Sequence, residues 1–208
     1  MFLRQAAAGG PPRPAPYAAL VARRDDAAGL VRALFRLVAR EAERPLPYLS
    51  SREFAREVAV ALTFDAALAP TAVATALLAE LGHRVLDARL LALNLLEVHA
   101  LPSQDSLVRV ARDASDEARA LDARLLLAAR APDGLFTDEA VALAARPDVD
   151  PLLKLRALEV VSRVIEVGRR TRLEDVLARS DPSGLVGRAV GRLDASSGGA
   201  APAAPPPR

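Results

Sequence analysis

A leucine, or a residue standing in for it, followed three positions later by arginine recurs five times along this chain. The copies are Glu53-Phe-Ala-Arg56, Leu86-Asp-Ala-Arg89, Leu121-Asp-Ala-Arg124, Leu153-Lys-Leu-Arg156 and Leu185-Val-Gly-Arg188. Successive arginines are 33, 35, 32 and 32 residues apart, the differences between those positions. A fixed period in that range marks stacked helical hairpins, each too small to bury its apolar face alone. Burial then comes from neighbouring repeats, and the chain needs no single central core.

A second signal keeps step with the first. Ala111-Arg112-Asp113, Ala145-Arg146-Pro147-Asp148 and Ala178-Arg179-Ser180-Asp181 each close a shorter helix just upstream of an arginine helix, at intervals of 34 and 33 residues. Between them lie tight Asp-rich turns: Asp113 to Asp116, Asp148-Val-Asp150 and Asp181-Pro-Ser-Gly184. Aspartate both makes such turns and caps the helix that follows. The unit is thus helix, Asp turn, second helix. The pairs are 18–41 with 50–68, 71–81 with 84–99, 104–113 with 116–131, 138–146 with 151–168, and 172–179 with 184–194. Ser50 with Glu53 fits a capping box, and Thr71, Ser103 and Thr137 are further N-cap candidates. Asp150-Pro151 sets an acceptor at the N-cap and proline at the first helical position. Gly82, Gly134 and Gly168 fall where left-handed caps or turns would end helices. No strand-like alternation persists long enough to compete.

From Leu107 to Ala129 (Leu-Val-Arg-Val-Ala-Arg-Asp-Ala-Ser-Asp-Glu-Ala-Arg-Ala-Leu-Asp-Ala-Arg-Leu-Leu-Leu-Ala-Ala) the chain resembles a HEAT or HEAT-like repeat. Residues 84–194 carry the resemblance well and 18–81 weakly. It implies an all-α, right-handed α-solenoid of stacked antiparallel helix pairs, four to five repeats long, used mainly as a binding surface. A tetratricopeptide array has a similar period, but the large aromatic positions of that motif are missing. The expected organisation is a disordered segment over 1–16, one HEAT-like domain over 17–194, and a disordered Ala/Pro/Gly tail over 195–208. Both ends are too poor in apolar residues to offset their ordering entropy.

Composition agrees with helix-on-helix packing. Of the 208 residues 51% are hydrophobic but only 3% aromatic, so alanine, leucine and valine must fill the core. No cysteine is present, which removes disulfides, thiolate nucleophiles and Cys-ligated zinc. The first residues lack the apolar stretch of a secretory signal. No run nears the ~18 apolar residues of a spanning helix. The expectation is a cytoplasmic protein with no membrane contact. The sequence pI near 9.6 suggests nucleic acid, yet 28 basic residues face 26 acidic ones, and Lys154 is the only lysine. Arginine-for-lysine bias explains that pI without a clustered basic face.

Stacking would set Arg56, Arg89, Arg124, Arg156 and Arg188 in a row. Their planar forks suit a structural ladder with the turn carboxylates Asp116, Asp150 and Asp181. The other reading of the row is an anion-binding stripe. Helix phase picks Arg119, Asp122, Lys154, Glu159 and Arg163 as the face that meets a partner. Arg169-Arg170-Thr171-Arg172 is the densest basic spot, read as a solvated turn that complements the preceding helix's C-terminal dipole, or else as a dock for a phosphate or an acidic segment. His83 and His99 flank one helix about 24 Å apart and cannot share a metal. No phosphate loop, metal-ligand set or catalytic constellation presents itself, so no cofactor is expected. The expected function is a non-enzymatic scaffold or adaptor for a protein partner. The alternatives are a nucleic-acid-binding solenoid and an enzyme subunit, some HEAT-like proteins being similar to bilin lyases or DNA-repair glycosylases.

Overall fold

A computed structural model describes residues 27–43, 70–98 and 102–197. Among these residues every regular element is an α-helix. In chain order they are α1 (Ala27–Glu43), α2 (Pro70–Ala79), α3 (Leu86–Val98), α4 (Gln104–Ala111), α5 (Glu117–Arg130), α6 (Leu135–Ala144), α7 (Pro151–Val161), α8 (Val167–Ser180) and α9 (Leu185–Ser197). None of them is long and apolar enough to cross a membrane. The chain divides into two compact units, Met1–Leu126 and Leu127–Arg208, the boundary falling inside α5.

In the first unit α1 packs on α2 and α3, and α2 packs on α3. The reason is readable in α1, where Val31, Leu34, Phe35 and Val38 are buried at i, i+3, i+4 and i+7 while Arg32 and Arg36 point outward. Leu77 of α2 and Ala88, Ala92, Leu93 and Leu96 of α3 are buried as well. Burying each large side chain stabilises by about 1.5–3 kcal/mol. The α2–α3 turn needs a left-handed residue, and Gly82 supplies it at φ 72°. His83 Nδ1 then accepts from Val85 N–H at 3.0 Å, at the entrance to α3.

In the second unit α6 packs on α7 and α8, α7 on α8 and α9, and α8 on α9. Ala140, Val141 and Ala144 of α6, Leu153, Ala157 and Leu158 of α7, Leu173 and Leu177 of α8, and Val186 of α9 are buried. Alanine at the closest points lets helix axes approach without displacing the leucines.

The caps follow the sequence in part. Ser103 accepts from Ser106 N–H at the start of α4. Asp150 accepts from Leu152 N–H with Pro151 at the first helical position of α7. Thr71 is not an N-cap, because α2 already begins at Pro70 and Thr71 lends its carbonyl to Thr75 Oγ1. Nor is Thr137, since the N-cap of α6 is Gly134 and the Thr137 hydroxyl donates to Pro132 O. Gly168 closes nothing and lies in the first turn of α8. The reason is an unannounced break. Arg163 N–H and Val164 N–H bond three residues back to Val160 O and Val161 O, and tighten the end of α7 without glycine or proline. So α7 ends at Val161 rather than 168, and α8 starts at Val167 rather than 172. At the far end α9 runs to Ser197, three residues into the segment expected as tail. The 1–16 segment, Ser50, Glu53, Arg56 and the expected 50–68 helix lie outside the described residues.

Candidate interaction surface

Two of the five residues expected to meet a partner are buried in the fold. Asp122 on α5 is 0% exposed, and Lys154 on α7 is 1% exposed. Asp122 takes two bonds from Arg89 Nε, both at 2.8 Å, and one from Gly82 N–H at 2.7 Å. Arg89 completes its fork on Asp122 Oδ1 and on Ala118 O, each at 2.8 Å. Burial pushes the Asp122 carboxyl above the usual carboxylate range, against the pull of Arg89 and the Gly82 amide. Arg119 is half-buried, with Nη2 donating to Leu78 O at 3.1 Å, and its Nε is buried with no acceptor among the described residues. These groups clamp α5 to the α2–α3 hairpin, and the Asp122 carboxylate is not offered to a partner.

Lys154 donates to Ser180 O at 2.6 Å and to Ser180 Oγ at 3.3 Å. Its ammonium thus sits at the carboxyl end of α8, where the helix dipole favours a cation. Only Glu159 and Arg163 stay at the surface. They face each other at 3.6 Å, and Glu159 also takes Arg156 Nη1.

Among the described residues the turn aspartates bond to backbone amides and, at Asp181, also to a serine hydroxyl. Asp116 caps Arg119 N–H at 2.9 Å, and Asp150 caps Leu152 N–H at 2.8 Å. Asp181 accepts from Val186 N–H, Ser183 N–H and Ser183 Oγ at 2.8, 3.1 and 2.7 Å. Those donors, the Val186 amide foremost, hold its carboxyl below the usual range. Turn carboxylates reach orphan helix amides readily because those amides lie within two to five residues of them. Arg89 finds Asp122 instead, 33 residues on. Arg156 finds Glu159 on its own helix, and Arg188 makes one long bond to Ser183 O at 3.4 Å. Arg124 is half-buried on α5.

The basic run at 169–172 is not a turn. It runs through the first two turns of α8, and the helix dipole opposes positive charge at that amino end. Asp138 offsets that by accepting from Arg169 Nη2, with Arg172 Nη2 at 3.8 Å from its other oxygen. Arg169 also donates to Asp133 O at 2.8 Å and to Gly134 O at 2.9 Å, and Asp133 Oδ1 accepts from Ile165 N–H at 3.0 Å. The α5–α6 and α7–α8 turns are therefore stitched side by side.

That stitching exposes three large apolar side chains at one end of the second unit. Ile165 is 81% exposed, Leu135 65% and Val167 60%. Isolated exposed apolar residues are ordinary, but a group on two bonded turns with a charged rim is the form of a contact surface. Sequence reasoning placed Ile165 and Val167 inside a continuous α7, so this group escaped it. Among the described residues no cluster of three His, Asp or Glu side chains could hold a metal.

Comparison of the chain with protein-family models, with curated proteins and with solved structures gave no match.

Proposed function

We propose that this chain is a right-handed, HEAT-like α-solenoid of four to five stacked helix pairs acting as a non-enzymatic scaffold that docks a protein partner. The packing order of the second unit supports the stacking, since α6 and α7 each touch both the next helix and the next but one. The bonds made by Arg89 and Arg156 within the chain support reading them as framework rather than as a phosphate-binding stripe. A chain without cysteine suits a reducing compartment such as the cytoplasm.

The observation that carries the reading is the exposed Leu135, Ile165 and Val167 group. Apolar side chains held on rigid, hydrogen-bonded turns lose little entropy on binding, so their burial converts efficiently into affinity. The test is capture from native lysate at moderate salt, with and without nuclease, using the wild-type chain beside Ile165→Asp. A stoichiometric protein that survives nuclease and is lost with Ile165→Asp is the expected result. Capture that vanishes with nuclease would refute a protein partner, and capture undiminished in Ile165→Asp would refute this surface.

A further inference from the structure

The charges around the apolar group are not evenly committed. Asp133 and Asp138 lie at the surface but are engaged, Asp133 by Ile165 N–H and Asp138, 41% exposed, by Arg169 and Arg172. The Arg170 side chain makes no hydrogen bond or ion pair among the described residues, though Glu166 lies one turn back on the same helix face. Val167, Arg170 and Thr171 follow i, i+3, i+4 spacing, which sets the Arg170 cation beside an exposed apolar side chain. Arg172 is 68% exposed and meets Asp138 only at 3.8 Å. Glu166 at the N-cap is exposed and makes no side-chain bond to the first-turn amides, a single carboxylate set against the Arg170 and Arg172 cations.

Resting on the docking reading above, we infer that the surface takes an acidic amphipathic segment of a protein partner. Two or three large apolar side chains of that segment cover Leu135, Ile165 and Val167. A neighbouring aspartate or glutamate meets Arg170, with Arg172 as the second cation. The apolar contacts supply affinity, while the cations select sign and register. A basic segment is rejected, because it would set like charges against Arg170 and Arg172.

A library of random twelve-residue peptides displayed on phage and panned on the full chain tests this directly. The expected consensus joins Leu, Ile, Phe or Met to Asp or Glu within four positions. The best peptide, made synthetically and titrated by fluorescence anisotropy, should bind at least tenfold more weakly to Arg170→Glu and measurably not at all to Ile165→Asp. Ile165 is 81% exposed and the Arg170 side chain makes no hydrogen bond or ion pair among the described residues, and circular dichroism of both variants verifies the fold. A consensus without carboxylates, or one unchanged in affinity by Arg170→Glu, overturns the acidic partner while leaving the docking surface standing. Peptides that bind Ile165→Asp normally overturn the docking surface itself. A chain that selects no peptide but sediments as a dimer, and as a monomer with Ile165→Asp, shows a second copy to be the occupant and overturns the inference. Competition by single-stranded oligonucleotide but not by peptide overturns it in favour of nucleic acid.

Discussion

Two interhelical turns solve the same problem by opposite means. The α2–α3 turn of the first unit and the α8–α9 turn of the second each hinge on a left-handed glycine, Gly82 at φ 72° and Gly184 at φ 67°. Each is tied down by a buried aspartate. At Gly184 the aspartate belongs to the turn itself, since Asp181 accepts from Ser183 and Val186. At Gly82 it comes from 40 residues away, as Asp122 reaches the Gly82 amide while holding Arg89. A local turn carries its own acceptor and costs no loop closure. The long-range one ties α5 to the α2–α3 hairpin, and a single carboxylate there holds both the Gly82 amide and the Arg89 cation.

The largest effect should follow removal of that carboxylate. In Asp122→Ala, Arg89, whose side chain is 12% exposed, is left with a buried charge and no counter-ion, and the Gly82 amide loses its acceptor. Stranding a buried charge costs about 3–5 kcal/mol. Urea titration should show that loss, and hydrogen exchange should show faster opening at the amides of α2 and α3 than at those of α8 and α9. Uniform loss of protection through both units would break the comparison.

The glycines sharpen it. A Cβ on Gly82 would lie 2.6 Å from the Arg119 backbone nitrogen and 2.9 Å from its Cα, and backbone cannot step aside. A Cβ on Gly184 would meet only the Arg188 guanidinium at 3.2 Å, the far end of a flexible side chain. Both substitutions carry the left-handed penalty of about 1–2 kcal/mol, but Gly82→Ala adds overpacking of about 1–3 kcal/mol. Gly82→Ala should therefore lower the urea midpoint by clearly more than Gly184→Ala. Equal shifts would mean that the α2–α3 hairpin can move away from α5.

This contrast also explains how far the sequence could be read. The all-helical class and most helix positions follow from apolar periodicity and from caps such as Ser103 and Asp150, which act within a few residues. The Arg89–Asp122 pair spans one repeat, and nothing local to Asp122 names its partner. Its burial did leave a trace. Ala118, Leu125 and Leu126 surround it at i−4, i+3 and i+4, as Ala157 and Leu158 follow Lys154 at i+3 and i+4. A charge set in an apolar stripe belongs to the interior, and that sign outweighs the polarity that made both residues look like surface contacts. The apolar group on the second unit was hidden for a different reason. The end of α7 is made by backbone bonds three residues back, over Ser162 to Val164, which no turn-forming residue announces.

The smallest effect is a matter of sign. Burial raises the Asp122 carboxyl above its unfolded value, so its contribution to stability is fully present below the unfolded pKa and is lost as pH rises through the folded one. Asp181 runs the other way. Its backbone donors lower the folded value, so its contribution is present above the unfolded pKa and is lost as pH falls through the folded one. Relative to Asp122→Asn, the wild-type chain should gain stability on acidification into the carboxylate range. Relative to Asp181→Asn it should lose stability over the low end of that range. Thermal melts of the three chains at a series of pH values test both slopes together. Parallel slopes would mean that Arg89 fully compensates the burial of Asp122, which would turn the clamp on the first unit from an electrostatic liability held by geometry into a net source of stability.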